Sequence, residues 1–204
     1  MTAPATVPVG DGDPGWTRVQ RAYSEGVRVL QRLGFEYVDW TLPAGPAGRP
    51  AIELAGHVAS RVRSYHRLLD AALAGAPLRD LPRGDDLGGT APTEPAAVGA
   101  GADRIVAFDA IATRYGERVG ETDPDLVLAQ WEGLGALSVR HHTLAAAVEW
   151  HLHAWDLARA LGWDHRPADP ELLFDGRRLL GASLPGGDAW SAVLAASGRR
   201  PPGR

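Results

Sequence analysis

The chain contains no cysteine, which excludes disulfide bonds, thiolate metal ligands and a cysteine nucleophile. Lysine is also absent, and this excludes Schiff-base chemistry and a phosphate-binding P-loop lysine. Asparagine is missing as well. Any chemistry must therefore depend on histidine, carboxylates, arginine, hydroxyl groups, a bound metal ion or a reagent supplied from outside.

No apolar stretch approaches the roughly 20 residues that a membrane span requires. Residues 1–13 are small and polar, so we expect a disordered lead-in without a signal peptide, and a cytoplasmic protein. The net charge is −4 and no basic stripe is interleaved with aromatic residues, so nucleic acid is not an expected partner. A chain of 204 residues, 45% hydrophobic, fits one globular domain with a small appendage.

Apolar residues recur at three- and four-residue spacing through most of the chain, which predicts an all-α protein. Glycines and an Asp-Pro pair mark helix boundaries. The predicted helices cover residues 14–33, 51–74, 103–119, 140–161, 171–180 and 188–196. No segment shows a convincing strand pattern. We therefore expect an up-and-down-type four-helix bundle.

The domain organisation follows from these helices. The bundle is expected at residues 14–165, and a helical C-terminal extension at 166–204. The connection at 76–101 is rich in glycine and proline and poor in large apolar residues. A connection of that length is uncommon in a compact domain unless it crosses the fold or covers a site, and the sequence leaves open which of these it does.

The helix predicted at 140–161 contains a Glu–His pair with the spacing of metal ligands. Glu149 and His153 are four residues apart, so they project from the same helix face. An ionisable pair in an apolar helix needs a partner to offset its burial, and a divalent metal ion is one such partner. A buried, hydrogen-bonded pair without metal is an equally good interpretation of the spacing.

A third ligand is expected from another helix, because a metal site normally has at least three protein ligands. His57 is the best candidate, since it is a lone polar residue among small apolar ones in the predicted second helix. Two histidines and one carboxylate would leave coordination positions open, as in catalytic sites. Taken alone, however, His57 fits a hydrogen-bonded core histidine better than a ligand.

Three other residues are candidates for supporting roles. Asp156 lies one turn after His153 and would orient that imidazole or form a salt bridge. Arg61 lies one turn after His57 and would hold a substrate carboxylate or remain a solvated surface residue. His142 lies two turns before Glu149 and would line the cavity or help to start the helix.

Four further residues have no expected role in the site. Tyr65 is expected in the core. His151 points away from Glu149 and His153 on the same helix, so it is not expected to be a ligand. His66 and His165 are expected on the surface or in loops. No catalytic residue separate from the metal site is predicted.

Three segments resemble the mycothiol-dependent maleylpyruvate isomerase family, a branch of the DinB-like metal-binding bundles. Residues 148–162 read VEWHLHAWDLARALG and resemble the family's glutamate–histidine–aspartate helix. Residues 52–59, IELAGHVA, are similar to its second-helix segment, and residues 188–201 to its C-terminal ending. The resemblance covers nearly the whole chain. One departure is PAGPAGRP at 43–50, where many relatives carry a Cys-Pro-Gly-Trp-like segment.

The resemblance implies a DinB-like four-helix bundle with a long crossover and a small C-terminal helical appendage. It places the ligands of zinc, or of another divalent metal, on His57, Glu149 and His153. It also implies that mycothiol is the thiol cosubstrate and that a small electrophile is the substrate. The chain would then be an S-transferase or a cis–trans isomerase of maleylpyruvate type, as a monomer or a homodimer.

Two alternatives stay open at the level of sequence. A metal-dependent hydrolase would use the same ligands with a bound water as nucleophile. A non-catalytic metal-binding bundle would serve as a sensor or partner domain and would have no substrate cavity beside the metal. The sequence does not identify the electrophile, the thiol or the metal.

Overall fold

The computed structural model describes residues 15–36, 39–76, 100–131 and 135–199. These residues form a mostly helical protein, as predicted. The expected lead-in at 1–13 and most of the connection at 76–101 lie outside the described residues. The elements are α1 (Trp16–Glu36), β1 (Pro43–Ala44), β2 (Arg49–Pro50), α2 (Ala51–Leu73), α3 (Ala100–Gly120), β3 (Val127–Trp131), β4 (Gly135–Ser138), α4 (Val139–Ala160), α5 (Pro170–Leu179) and α6 (Ala189–Ala196).

Two short antiparallel hairpins accompany the helices, although no segment of the sequence shows a convincing strand pattern. In the first, β1 pairs with β2 and Pro43 faces Pro50. Its strands have two residues each, which is too short for an alternating pattern to be visible in the sequence. In the second, β3 pairs with β4 across a register irregularity. This hairpin lies within the segment between the third and fourth predicted helices.

The helix ends agree with the capping signals in the sequence. Asp169 caps α5 by accepting a hydrogen bond from the Leu172 amide, and Pro170 is the first helical residue. Gly162, after the end of α4, has a φ of 76°. That left-handed conformation suits glycine and ends the helix.

The four long helices pack in the order α4, α1, α3, α2, with α1 in contact with both α3 and α4. Gly26 of α1 lets α4 approach closely, because a Cβ at this position would lie 2.8 Å from the Cβ of Trp150. Trp150 is fully buried at the centre of an aromatic cluster. Helices α5 and α6 pack on each other, and α5 packs on α4.

Helices α2 and α4 have few direct contacts, and polar side chains bridge them instead. The bridged region is where the candidate site lies. None of the helices among the described residues combines the length and apolar character that crossing a membrane requires.

Candidate metal centre

His57 of α2 and Glu149 and His153 of α4 converge at one point. One potential ligand atom from each residue lies within 4.8 Å of the other two. His57 Nε2 is 3.1 Å from Glu149 Oε1, and His153 Nε2 is 3.9 Å from the same oxygen. The two imidazole rings meet edge to face with centroids 5.1 Å apart. The Nε2 atoms of both imidazoles therefore lie near the same carboxylate oxygen.

This donor set fits a divalent metal ion. Zinc binds histidine nitrogen and carboxylate oxygen at about 2.0–2.2 Å, so two ligands of one tetrahedral ion lie roughly 3.3–3.5 Å apart. The distances of 3.1 and 3.9 Å from Glu149 Oε1 to the two Nε2 atoms fall on either side of that value. Small side-chain adjustments would therefore let His57, Glu149 and His153 close on one ion.

Asp156 sets the orientation of the His153 imidazole. Its Oδ2 atom lies 3.3 Å from His153 Nδ1, one turn along the same helix. We infer that Nδ1 carries the proton in this contact, which leaves the lone pair of Nε2 directed at the centre. A carboxylate behind a ligating histidine is the usual arrangement in metal sites.

Two further residues of α2, Arg61 and Tyr65, donate hydrogen bonds to the Glu149 carboxylate. Arg61 Nε donates to Oε1 at 3.0 Å, and the Tyr65 hydroxyl donates a short hydrogen bond to Oε2. Burial on its own raises the pKa of Glu149, but the hydrogen bond from His57 and the positive charge of Arg61 outweigh it and hold that pKa well below its usual range. Glu149 is therefore an anion ready to bind a cation.

The C-terminal extension contributes a residue to the site. Arg199, which follows α6, donates from Nε to Asp156 Oδ1 at 2.7 Å. Its Nη2 atom donates a second hydrogen bond to Asp156 Oδ2. The turn of the first hairpin covers the same carboxylate, since a Cβ on Gly45 would lie 3.3 Å from Asp156 Oδ2. Burial alone raises the pKa of Asp156. The hydrogen bonds from His153 and Arg199 have the larger effect and lower this pKa below its ordinary value, so the carboxylate stays ionised.

His142 does not reach the three candidate ligands. It is buried, its Nδ1 lies 3.0 Å from the Tyr115 hydroxyl, and its ring packs edge to face on Tyr65 with centroids 4.5 Å apart. Burial, together with the positive charge of Arg61, lowers its pKa to about 4. His142 is thus a neutral core residue beneath the site.

The expectation that His165 lies on the surface or in a loop is met by its position in the loop after α4, but the residue is buried. The residue follows α4 in the chain, but it is only 8% exposed, and it stacks on His151 with its Nε2 2.9 Å from His151 Nδ1. His151 Nε2 in turn lies 3.1 Å from the Ala22 carbonyl oxygen of α1, away from the candidate ligands. His66 is partly buried between the Ile111 carbonyl and Arg118. Packing of the C-terminal extension on α4 provides the burial that the local sequence around His165 does not reveal.

A cavity of about 500 Å³ opens beside the centre. It is bounded by the turn of the first hairpin, by α2, α3 and the end of α4, and it includes His57 and His153 in its wall. The His57 side chain is 46% exposed, so one candidate ligand is accessible from the cavity. Five arginines and three carboxylates line the cavity. The arginines are Arg49, Arg61, Arg63, Arg104 and Arg199, and the carboxylates are Glu53, Asp103 and Asp156.

Two residues of this site were not predicted. Tyr65 was assigned to the core, but its hydroxyl contacts Glu149 from within the core. The helical spacing of His57, Arg61 and Tyr65 was a signal that could have identified it, because residues four apart share a face. Arg199 had no comparable signal, since it lies 43 positions from its partner Asp156.

Comparison with known proteins adds no identification: no protein-family model, curated protein or solved structure matches this chain. The likeness to the maleylpyruvate isomerase family therefore remains a resemblance. The geometry of the site carries the functional argument.

Proposed function

We propose that this protein is a metal-dependent enzyme in which a low-molecular-weight thiol, with mycothiol as the first candidate, attacks a small electrophile. It would act as an S-transferase or as a cis–trans isomerase of maleylpyruvate type, on a DinB-like four-helix bundle. The observation that carries the proposal is the convergence of two imidazoles and one carboxylate in the wall of a cavity of about 500 Å³.

The donor set favours a catalytic over a structural metal. Structural zinc sites are closed by four ligands, usually with thiolates among them, whereas catalytic sites keep three protein ligands and an open position. Among the described residues, His57, Glu149 and His153 form the one group of histidines and carboxylates that could hold a metal ion, and the chain has no cysteine. The adjoining cavity is large enough for small-molecule ligands, which favours an enzyme over a sensor without a substrate site.

Each residue of the site has a definable task in such a reaction. His57, Glu149 and His153 would hold the ion, which when bound supplies the Lewis acidity that lowers the pKa of a thiol. Asp156 keeps the His153 ring in its orientation, and Arg61 offsets the charge of Glu149. The arginines in the cavity wall outnumber the carboxylates, and this excess of positive charge favours an electrophile that carries a negative charge.

The outcome of thiol attack distinguishes the two reactions. In an S-transferase the carbon–sulfur bond formed by the thiol is retained, and either a leaving group departs from the attacked carbon or, after addition to a carbon–carbon double bond, the neighbouring carbon takes up the proton that the thiol lost. In an isomerase the same bond breaks again after rotation about the attacked carbon–carbon bond, and the thiol is regenerated.

The first experiment is elemental analysis of protein purified without chelators, followed by thiol turnover assays of the zinc-loaded protein. We expect about one zinc-like ion per chain and metal-dependent consumption of an electrophile that requires added mycothiol. The Glu149→Gln variant is the matched control and should lose both properties. Turnover that proceeds without any thiol would identify a hydrolase, and metal binding without turnover in a broad electrophile panel would favour a sensor or partner domain.

A further inference from the structure

Glu149 presents its two carboxylate oxygens to different surroundings. Oε1 faces the Nε2 atoms of both candidate histidine ligands, at 3.1 and 3.9 Å. Oε2 faces the core side, where it accepts the short hydrogen bond from the Tyr65 hydroxyl. Arg61 spans the pair, with Nε 3.0 Å from Oε1 and 3.4 Å from Oε2.

Tyr65 cannot easily move away from this carboxylate. The residue is 3% exposed, and its ring packs against Tyr115, Trp150 and His142 with centroids 4.5 to 5.9 Å apart. Side chains in such close-packed cores keep a single rotamer. The Tyr65 hydroxyl is therefore held within hydrogen-bonding distance of Oε2 of Glu149.

We propose that Tyr65 is a positioning residue that keeps Oε2 of Glu149 hydrogen-bonded, so that Oε1 is the carboxylate oxygen directed at the metal. A carboxylate that is free to rotate can offer both oxygens to one ion and so fill a coordination position. Tyr65 prevents this, and the position stays open for a substrate. The inference rests on the metal centre of the proposed function and is independent of its thiol chemistry.

The chain contains a matched control for this role. Tyr115 is also fully buried in the same aromatic cluster, but its hydroxyl meets His142 and does not contact Glu149. Tyr65→Phe and Tyr115→Phe therefore each remove one hydroxyl group from a buried tyrosine. Only Tyr65→Phe removes a hydrogen-bond donor from Glu149.

The test is the visible absorption spectrum of the cobalt-loaded protein, combined with zinc affinity measured by chelator competition. In Tyr65→Phe we expect a spectrum shifted towards higher coordination number and a zinc affinity about 10-fold weaker, the size of loss typical when a partner of a metal ligand is removed. Tyr115→Phe should match the wild type in both measurements. An unchanged cobalt spectrum in Tyr65→Phe would overturn the proposal, whatever the affinity.

Tyr65→Met gives a second route if Tyr65→Phe fails to fold, because it also removes the hydroxyl that bonds Oε2 and fills the core with a flexible apolar side chain. A wild-type spectrum in a folded Tyr65→Met variant would then reject the proposal. Wild-type protein that takes up no cobalt would reject both this inference and the proposed function. Normal cobalt spectra with the expected Tyr65→Phe change, but no thiol turnover, would reject only the thiol chemistry.

Discussion

Arg199 holds Asp156 with two hydrogen bonds, although the two residues are 43 positions apart in the chain. Both side chains are almost completely buried, with 8% and 1% exposure. Asp156 in turn contacts His153 Nδ1, so Asp156 connects Arg199, in the segment after α6, to the candidate metal ligand His153. The C-terminal extension is therefore part of the site and not an independent appendage.

Removing Arg199 should cost more stability than removing an arginine from an exposed ion pair. Arg199→Met leaves the Asp156 carboxylate buried without its main partner, and breaking a buried pair in this way typically costs about 3–5 kcal/mol. Metal affinity should fall as well, because Asp156 orients His153. Denaturant unfolding and chelator competition measure the two effects.

The matched control is Arg18→Met, since Arg18 is exposed at 52% and its partner Asp169 is partly exposed at 33%. An exposed pair of this kind contributes about 0–1 kcal/mol. Equal losses of stability in Arg199→Met and Arg18→Met would contradict the structural role assigned to Arg199.

The three candidate ligands should be individually necessary for metal binding. His57→Ala and Glu149→Gln each remove one donor from a three-donor site, and we expect neither variant to retain metal after dialysis. Circular dichroism should remain helical, because His57 is exposed and Glu149 keeps its shape as glutamine. His66→Gln serves as control, since His66 lies between Ile111 and Arg118. Full metal content in either ligand variant would show that the ligand set is wrong.

Helix periodicity predicted most of the fold. The helix predicted at 140–161 is found at Val139–Ala160, and that predicted at 51–74 at Ala51–Leu73. Such patterns extend over several turns and report directly which face is buried. The hairpins were missed because their strands have two to five residues, too few for a period to emerge.

The candidate site was predicted in part for the same reason. Glu149, His153 and Asp156 share a face of one helix, and this relation can be derived from spacing alone. That His57 of another helix approaches them, and that Arg199 closes on Asp156, depends on tertiary packing, which single-sequence patterns do not encode. The burial of His165 is a result of the same packing.

The buried histidines should make the metal-free protein less stable as the pH falls below neutrality. Burial lowers the pKa of both His151 and His165 to about 4, from the 6.5 of an unfolded chain. Between these values the unfolded state binds more protons, so the free energy of unfolding decreases with falling pH, by up to about 1.4 kcal/mol per pH unit for each histidine. Denaturant unfolding from about pH 7 to about pH 5, with chelator present, measures the slope.

His165→Gln should reduce that slope without removing it, because His151 and His142 remain and burial lowers the pKa of both. Glu149 and Asp156 also lose their stabilising charge in acid. Their pKa values are lowered from the ordinary carboxyl range, so their contributions are lost mainly below about pH 4.5. A slope above pH 5 that is identical in His165→Gln and wild type would rule out the buried histidine as its source.

The close contact between α1 and α4 gives a last prediction, in which helix propensity and packing have opposite signs. Alanine is favoured over glycine inside a helix by about 1 kcal/mol, so propensity alone predicts that Gly26→Ala stabilises the protein. The added Cβ, however, would lie 2.8 Å from the Cβ of Trp150, and neither helix backbone can yield as a flexible side chain would. Overpacking of this kind costs about 1–3 kcal/mol, and we expect a net loss of stability in denaturant unfolding.

Gly120→Ala is the control, because its new Cβ would meet only the flexible end of Gln20 at 3.2 Å. Since Trp150 adjoins Glu149 in α4, Gly26→Ala should also weaken metal binding, whereas Gly120→Ala should not. A Gly26→Ala protein that is more stable than wild type would show that the two helices are further apart than the structure has them.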